Sequence, residues 1–211
     1  MLELKQLTLL LHNEPMFPAV NLSVPTGQLI SIMGPSGSGK STLLSAIAGN
    51  LSAIFSLQGD ILLDDESVLG KRAAQRRIGL LYQDDLLFPH MNVEQNLAFA
   101  VPATTTGRQR AQRIVRALEY AGLEGFLKRD IATLSGGQRA RISLLRTLLA
   151  EPRAVLLDEP FSKLDKALRE QFRDWVFDEL QRCETTAILV SHDISDCGDS
   201  RVYDLKKGAL L

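Results

Sequence analysis

The stretch that decides the fold is Leu29-Ile30-Ser31-Ile32-Met33, followed directly by Gly34-Pro35-Ser36-Gly37-Ser38-Gly39-Lys40-Ser41-Thr42. A short apolar run leads into a glycine-rich loop, and a helical run from Thr42 to Gly49 follows. This order matches the phosphate-loop pattern G-x-x-x-x-G-K-[ST] in its strand, loop and helix setting. The glycines let backbone N–H groups converge on phosphate oxygens, and the helix N-terminus adds partial positive charge. We therefore predict a buried strand that ends in a phosphate-binding loop.

Two side chains of this loop carry specific chemistry. The ammonium of Lys40 is expected to contact the outer phosphates, and the hydroxyl of Ser41 is expected to bind Mg²⁺. A glycine-rich turn without a ligand is the alternative, and the flanking strand and helix disfavour it. The predicted nucleotide-binding residues are Gly34, Pro35, Ser36, Gly37, Ser38, Gly39, Lys40, Ser41 and Thr42.

A second apolar run, Val155-Leu156-Leu157, ends in the adjacent acids Asp158 and Glu159. Neighbouring side chains on an extended segment point in different directions, so Asp158 can hold the water shell of a metal ion while Glu159 reaches an attacking water. Acids at a strand end are also common as helix caps or solvated turn residues. Together with the phosphate loop, they favour a catalytic role.

The run Leu134-Ser135-Gly136-Gly137-Gln138 precedes a helix that we expect to begin near Gln138. A serine and two glycines leave backbone N–H groups exposed at a helix N-terminus, which suits an anion. An ordinary N-cap with a flexible entry is the simpler alternative. The sequence thus contains one complete phosphate loop and a second anion receptor without a phosphate of its own.

Composition excludes several classes of protein. The 211 residues are 45% hydrophobic and 23% charged, with a formal net charge of -1, so charge does not predict a nucleic-acid partner. Two cysteines are too few for a disulfide framework. The stretch from Gly27 to Gly59 has only Lys40 as a charged residue, but glycines and serines interrupt it, so we predict no membrane span. The start, Met1 to Leu10, is typical of a strand and not of a signal peptide, which predicts a cytosolic protein.

The remaining runs predict a mostly parallel α/β sheet with an antiparallel part and a helical insertion. Predicted buried strands are Leu29 to Met33, Ile78 to Tyr82, Ala154 to Asp158 and Ala187 to Ser191, and predicted edge strands are Leu2 to Leu10, Val20 to Val24 and Asp60 to Leu63. Predicted helices are Val93 to Val101, Arg108 to Ala121 and Gly136 to Ala150. We expect one domain over 1–211, with a core of 1–84 and 150–211 and an inserted helical lobe at about 85–149.

With these motifs in this order, the chain resembles the ATPase subunits of ATP-binding cassette (ABC) transporters over essentially its whole length. Gly34 to Thr42 matches the Walker A motif, Leu134 to Gln138 the signature motif and Leu156 to Pro160 the Walker B motif. Three further elements fall at the expected positions, namely Gln83 as the Q-loop, Ser162 to Asp165 as the D-loop and His192 as the switch histidine. The resemblance implies a P-loop NTPase (RecA-like) fold with ATP and Mg²⁺ as cofactors.

The resemblance also implies roles that the motifs alone do not give. Two copies would pack head to tail on ATP binding, so that Ser135, Gly136, Gly137 and Gln138 of one copy contact the ATP of the other. Glu159 would be the general base, His192 would position the γ-phosphate and the water, and Gln83 would approach the Mg²⁺ held by Ser41 and Asp158. Lys40 would take part in catalysis, and Asp165 would lie at the dimer interface.

Two positions depart from the family pattern. An aromatic residue that stacks on adenine is expected between the first two strands, but Leu10, Leu11 and His12 occupy that position and Phe17 comes late. The D-loop has Lys163 where a small residue is common.

The kind of transporter is indicated by Leu86 to Phe99, which resembles the lobe surface of bacterial importer ATPases that receives a helix of the membrane subunit. Expected partners are integral membrane permease subunits and an extracytoplasmic solute-binding protein, with the chain held at the cytoplasmic face of the inner membrane. The end at Leu211 leaves no room for the β-rich regulatory domain of some relatives. An exporter or lipoprotein-release ATPase is the main alternative, and a soluble ABC protein is disfavoured because no tandem cassette or long coiled coil is present.

Overall fold

The computed structural model describes residues 1–211. Four strands precede the first helix, three helices follow one another between the seventh and eighth strands, and two 3₁₀ turns lie at Ile131–Thr133 and Ile194–Cys197. The elements are β1 (Leu2–Leu11), β2 (Glu14–Pro15), β3 (Val20–Val24), β4 (Leu29–Met33), α1 (Lys40–Ala48), β5 (Phe55–Leu63), β6 (Glu66–Ser67), α2 (Ala73–Arg76), β7 (Ile78–Leu81), α3 (Val93–Ala100), α4 (Gly107–Tyr120), α5 (Gly136–Leu149), β8 (Ala154–Asp158), α6 (Lys166–Arg182), β9 (Thr186–Ser191), β10 (Arg201–Asp204) and β11 (Ala209–Leu210).

The larger sheet positions the functional motifs. Its strand order is β11-β10-β4-β9-β8-β7, and all neighbours are parallel except the edge pair β10 and β11. Strand β9 lies between β4 and β8, in a register that pairs Met33 with Ser191 and Asp158 with Val190. Because these strands are parallel, their carboxyl ends meet at one edge. The phosphate loop, the acidic pair and His192 therefore start from adjacent positions.

The smaller sheet is antiparallel, with β1 paired to β2, β3 and β5 and with β6 paired to β5. The α/β class with a mostly parallel sheet and an antiparallel part is thus confirmed. One boundary was wrong: β5 begins at Phe55 and not at Asp60. Gly59, at a φ of 88°, lies where the register with β1 shifts, and a Cβ there would be 2.3 Å from the Gln6 carbonyl oxygen. This bulge interrupts the alternation of side chains that would have marked a longer strand.

Buried apolar residues form three clusters. The largest lies under β1, β3, β4 and α1, the second joins α3, α4 and α5, and the third joins β8, β9 and α6. Helix α5 belongs to two of them, because Ile142 faces the second cluster and Leu144 the third. The inserted helices are therefore packed against the sheet through α5. The domain limits at 84 and 150 stay a prediction.

Helices α4 and α6 bury side chains along one face only, as amphipathic helices do. The longest, α6, has 17 residues and buries Phe172 and Val176 beside exposed charged positions. No helix of the structure combines the length and the apolar character that a membrane crossing requires.

Arg76, in α2, closes the helix that follows the phosphate loop. Its Nη1 donates to the carbonyl oxygens of Ala46 and Ile47 at 2.8 and 2.9 Å, and Nε donates to that of Lys71. Burial lowers the pKa of this guanidinium. The Ala46 carbonyl also accepts from the Gly49 N–H at 3.2 Å, so Arg76 matters most for the Ile47 carbonyl at this buried helix end.

We expect Arg76→Met to lower the free energy of unfolding by about 2 kcal/mol, because the charge-assisted bonds to two helix carbonyls are lost. Urea denaturation measures this change. Arg108→Met is the matched control, since Arg108 is exposed on α4. A loss for Arg76→Met no larger than that of the control would contradict the capping role.

Candidate functional site

The phosphate loop has the backbone that an anion cradle requires. Gly37 and Gly39 have φ values of 77° and 91°, in the left-handed region that favours glycine. A Cβ on Gly39 would be 3.0 Å from Phe17 Cε1, so this glycine is also required by packing. The loop leads into α1 at Lys40, two residues before the predicted start at Thr42.

Lys40 is folded back over its own loop. Its Nζ donates to the carbonyl oxygens of Gly34 and Pro35 at 2.8 and 3.0 Å, and its side chain is only 4% exposed. The Lys40 ammonium is therefore fixed on the phosphate loop, where the phosphate oxygens of a bound nucleotide would contact it.

The predicted metal residues are in contact with each other. Ser41 Oγ donates to Asp158 Oδ1 at 2.9 Å, which joins the start of α1 to the end of β8. Burial raises the pKa of Asp158, and the neighbouring charge of Glu159 adds to this, while the bond from Ser41 and the charge of Lys40 oppose it. No cluster of three His, Cys, Asp or Glu side chains that could hold a metal ion is present. Phosphate and water oxygens would therefore have to supply most ligands of a cation bound here.

Glu159 is held in a strained position above the end of β8. Its φ is 45°, and its backbone N–H donates to the Val190 carbonyl at 3.1 Å. Its Oε1 lies 3.1 Å from His192 Nδ1 and 3.8 Å from Lys40 Nζ. A non-glycine residue in this backbone region is costly unless the surroundings fix it. The structure thus aims the Glu159 carboxylate towards both the phosphate loop and the histidine.

Gln83, two residues after β7, is linked to Glu159 through Ser162. Its Nε2 donates to Ser162 Oγ at 3.0 Å, and Ser162 Oγ donates in turn to the Glu159 carbonyl oxygen at 2.9 Å. The predicted Q-loop and D-loop are therefore joined by hydrogen bonds.

Most of these groups line a cleft of about 250 Å³, whereas His192 and Ser162 lie outside its lining. Its wall combines the loop, the two acids, Gln83 and one residue that the sequence did not predict, Met16. The lining residues are Met16, Ser36, Gly37, Gly39, Lys40, Ser41, Thr42, Gln83, Asp158 and Glu159. The cleft is open and polar, with glycine N–H groups and an ammonium on one side and carboxylates on the other, as a magnesium nucleotide requires.

The signature residues lie elsewhere. Ser135 is the N-cap of α5, accepts a hydrogen bond from the Gln138 N–H at 3.3 Å, and is exposed. The helix begins at Gly136, the start that the helical run predicted, and not near Gln138, because Ser135 caps it directly. None of the four residues predicted to act in trans lines the cleft. Asp165 is likewise the N-cap of α6 and accepts from the Leu168 N–H at 3.1 Å.

The segment before β3 does not place an aromatic side chain in the cleft, where the family pattern would have one stack on adenine. Leu10 and Leu11 are paired within the antiparallel sheet, opposite Pro15 and Glu14. Phe17 is only 7% exposed and packs into the main core, whereas Met16 lines the cleft. No periodicity or motif marks Met16, because its place depends on the tight turn between β1 and β2.

Lys163 forms an ion pair with Asp84, the residue after Gln83. Both side chains are more than half exposed, at 56% and 69%, so the pair adds little stability. The pair is a second contact between the D-loop and the Q-loop, beside the bond from Gln83 to Ser162.

The fold and this cleft define a nucleoside triphosphatase of the phosphate-loop class. The ABC transporter family profile matches residues 17–162. The chain is 48% identical over 206 residues to an uncharacterized ABC transporter ATP-binding protein, YnjD, of Escherichia coli K12, covering 97% of this chain and 95% of that protein. It is 42% identical to a sulfate/thiosulfate import ATP-binding protein of Neisseria meningitidis serogroup B, covering 82% of this chain and 49% of that protein.

Two solved structures of ABC proteins also resemble this chain over its full length. cbiO1 from Clostridium perfringens, part of the transporter complex cbiONQ, has a TM-score of 0.85 at 26% identity, covering 100% of this chain and 86% of that one. The ATP-binding cassette MJ0796, a dimer bound to ADP and phosphate in a post-hydrolysis state, has a TM-score of 0.80 at 29% identity, covering 100% and 96%. The chain belongs to the ABC transporter family and is an ATP-binding, ATP-hydrolysing subunit of such a transporter. It spans about half the length of the sulfate-importer subunits that it matches.

Proposed function

We propose that ATP is hydrolysed in the cleft at Gly34 to Thr42, with Glu159 as the general base. The observation that carries this proposal is the position of the Glu159 carboxylate, 3.8 Å from Lys40 Nζ and 3.1 Å from His192 Nδ1. A base must lie within reach of the water it deprotonates and beside the phosphate that the water attacks. The ammonium that holds the outer phosphates and the carboxylate are adjacent here.

The other residues of the site have supporting roles in this proposal. Ser41 and Asp158 would hold Mg²⁺, which would neutralise charge on the phosphates. Gln83 leaves Ser162 to approach the metal, and His192 orients the γ-phosphate and water. Met16 supplies an apolar contact beside the loop in place of an aromatic ring.

We further propose that the site is completed by a second copy of the chain. Ser135 and Gly136 are exposed at the N-terminus of a 14-residue helix, outside their own cleft. Such an N-terminus favours a phosphate. A head-to-tail dimer places it on the γ-phosphate of the partner's ATP, with Asp165 between the two sites.

The transport direction we propose is import of a small solute into a bacterial cell. Several relatives are named as import subunits, for sulfate or thiosulfate and for Fe³⁺ ions. The partners are then permease subunits in the inner membrane, which hold the chain at the cytoplasmic face, and an extracytoplasmic solute-binding protein. Uptake of labelled sulfate, thiosulfate and iron by cells without this chain tests direction: impaired uptake supports import, and cytoplasmic accumulation of a solute supports export.

An exposed aromatic surface on the helical part is the proposed contact for the permease. Phe99 and Leu86 are 69% and 54% exposed, and the Phe88 ring lies edge-on to Phe99 at 5.0 Å. Asn96, fully buried, accepts from the Phe88 N–H at 2.8 Å and donates to the Phe88 carbonyl. The aromatic surface is therefore held in place before a partner binds, which lowers the entropic cost of docking an apolar helix.

We expect Phe99→Asp to release the chain from the membrane fraction, because a carboxylate replaces the apolar centre of the contact. Sedimentation of membranes from the producing cells, followed by quantitation of bound chain, measures the change. Ile54→Asp is the control, since Ile54 is 63% exposed but outside this surface. Purified Phe99→Asp should hydrolyse ATP at the normal rate. Equal membrane retention of both variants would contradict the proposed contact.

A further inference from the structure

A buried ion pair connects α6 to the segment that follows His192. Asp196 accepts from Arg169 Nε at 2.7 Å and from Nη2 at 2.6 Å, and its side chain is only 3% exposed. Ser191 Oγ also donates to Asp196, at 2.6 Å. A two-bond guanidinium–carboxylate pair fixes orientation as well as distance, which a single bond does not.

The same arginine contacts one neighbour of His192, Asp193, directly and the other, Ser191, through Asp196. Arg169 Nη1 lies 3.2 Å from Asp193 Oδ2, and the Asp193 N–H donates to Ser191 Oγ at 3.0 Å. His192 itself is 46% exposed, and its one close polar side-chain contact is Glu159. The position of the imidazole is therefore set by the backbone on either side of it, which Arg169 and Asp196 hold.

The first turn of α6 also touches the signature segment. A Cβ on Gly137 would lie 2.9 Å from Leu168 Cδ2, so Leu168 fills the space beside this glycine. Asp165 caps the same turn. The first turn of α6 thus makes two contacts. Leu168 touches the signature segment that we propose meets the partner's ATP, and Arg169 touches the segment that follows His192.

We infer that Arg169 is a positioning residue for hydrolysis, which holds His192 over the γ-phosphate and ties its place to the turn that faces the second copy. The inference rests on the proposed roles of Glu159 and His192. It assigns to the Arg169–Asp196 pair a function in catalysis beyond the stability that any buried pair contributes.

The test uses Arg169→Lys, which keeps the charge but loses the planar two-bond geometry. The matched control is Arg182→Lys. Arg182, at the other end of α6, makes the same two-bond pair with Glu179, whose side chain is 5% exposed. Both variants lose an equivalent pair with a buried carboxylate, but only one pair is next to His192.

For Arg169→Lys we expect kcat for ATP to fall roughly tenfold or more with KM within about twofold, because a misplaced group slows chemistry more than binding. Arg182→Lys should retain kcat. In a double-mutant cycle, Arg169→Lys should cost little once His192 is Ala, because residues that act as a unit are not additive. Losses that multiply, or an equal loss of kcat in the control, would overturn the inference.

A second measurement does not depend on hydrolysis. Without nucleotide, amide hydrogen exchange of Ser191 to Cys197 should become faster in Arg169→Lys and stay unchanged in Arg182→Lys. Unchanged exchange overturns the inference. If exchange rises but His192→Ala hydrolyses ATP normally, the role of His192 fails and the inference fails with it, while the ATPase assignment stands.

Discussion

We expect replacement of Glu159 with Gln to lower the rate of ATP hydrolysis by at least about 100-fold, because an amide cannot accept the proton of the attacking water. The side chain keeps its size, so the contacts around the cleft remain. ATP binding should persist, since the phosphates are held by the loop and Lys40. Phosphate release by the purified chain and nucleotide binding by equilibrium dialysis measure the two effects separately.

Glu184→Gln is the control for this substitution. Glu184 also has a left-handed backbone, at a φ of 49°, but lies in the exposed turn between α6 and β9. Its variant should hydrolyse ATP at the normal rate. Hydrolysis by Glu159→Gln at the rate of the control would remove Glu159 from the base role and leave the cleft without a proton acceptor in that position.

The Glu159 variant should also accumulate as an ATP-bound dimer. In the proposed dimer, hydrolysis would remove the phosphate that both copies contact, so blocking hydrolysis should favour the closed state. Light scattering with and without ATP measures the change in mass. This trapped dimer then becomes the assay for the signature residues.

Features that depend on a short stretch of chain were predictable from the sequence. Leu29 to Met33 and Ala154 to Asp158 are continuous apolar runs, which parallel strands buried on both faces require, and both strands were predicted at their observed bounds. The helices of the inserted part were predicted to within a residue of each end, because helical periodicity is local in sequence. In the structure, Asn92, Thr106 and Ser135 cap their starts.

Features that depend on contacts between distant segments were not predictable. Arg169 and Asp196 are far apart in sequence and ordinary in type, and only the packing of α6 beside β9 makes them a buried pair. Strand β10 has one fully buried residue, Tyr203, and pairs with β4 in parallel, so neither alternation nor an apolar run marks it. Met16 enters the cleft because Phe17 packs inward.

We expect Ser135→Arg to abolish formation of the ATP-bound dimer while ATP still binds to the single chain. Ser135 is exposed at the N-terminus of α5, where a second copy would place its γ-phosphate. A long side chain there fills that space. In the Glu159→Gln background, the Ser135→Arg variant should remain a monomer in light scattering with ATP. In the otherwise unchanged chain, Ser135→Arg should lower the rate of ATP hydrolysis about 100-fold, because the charge of the transition state loses its hydrogen-bond donors.

Thr106→Arg separates this effect from the loss of a helix cap. Thr106 caps α4 in the same way as Ser135 caps α5. Each hydroxyl accepts from the N–H of a glutamine three residues later, and the side-chain oxygen of that glutamine accepts from the N–H of the cap residue. Either substitution removes a cap worth about 1 kcal/mol. If Thr106→Arg forms dimers and Ser135→Arg does not, the loss of dimers is due to the blocked contact with the shared nucleotide and not to the lost cap. If both variants form dimers, ATP is not enclosed between two copies through α5.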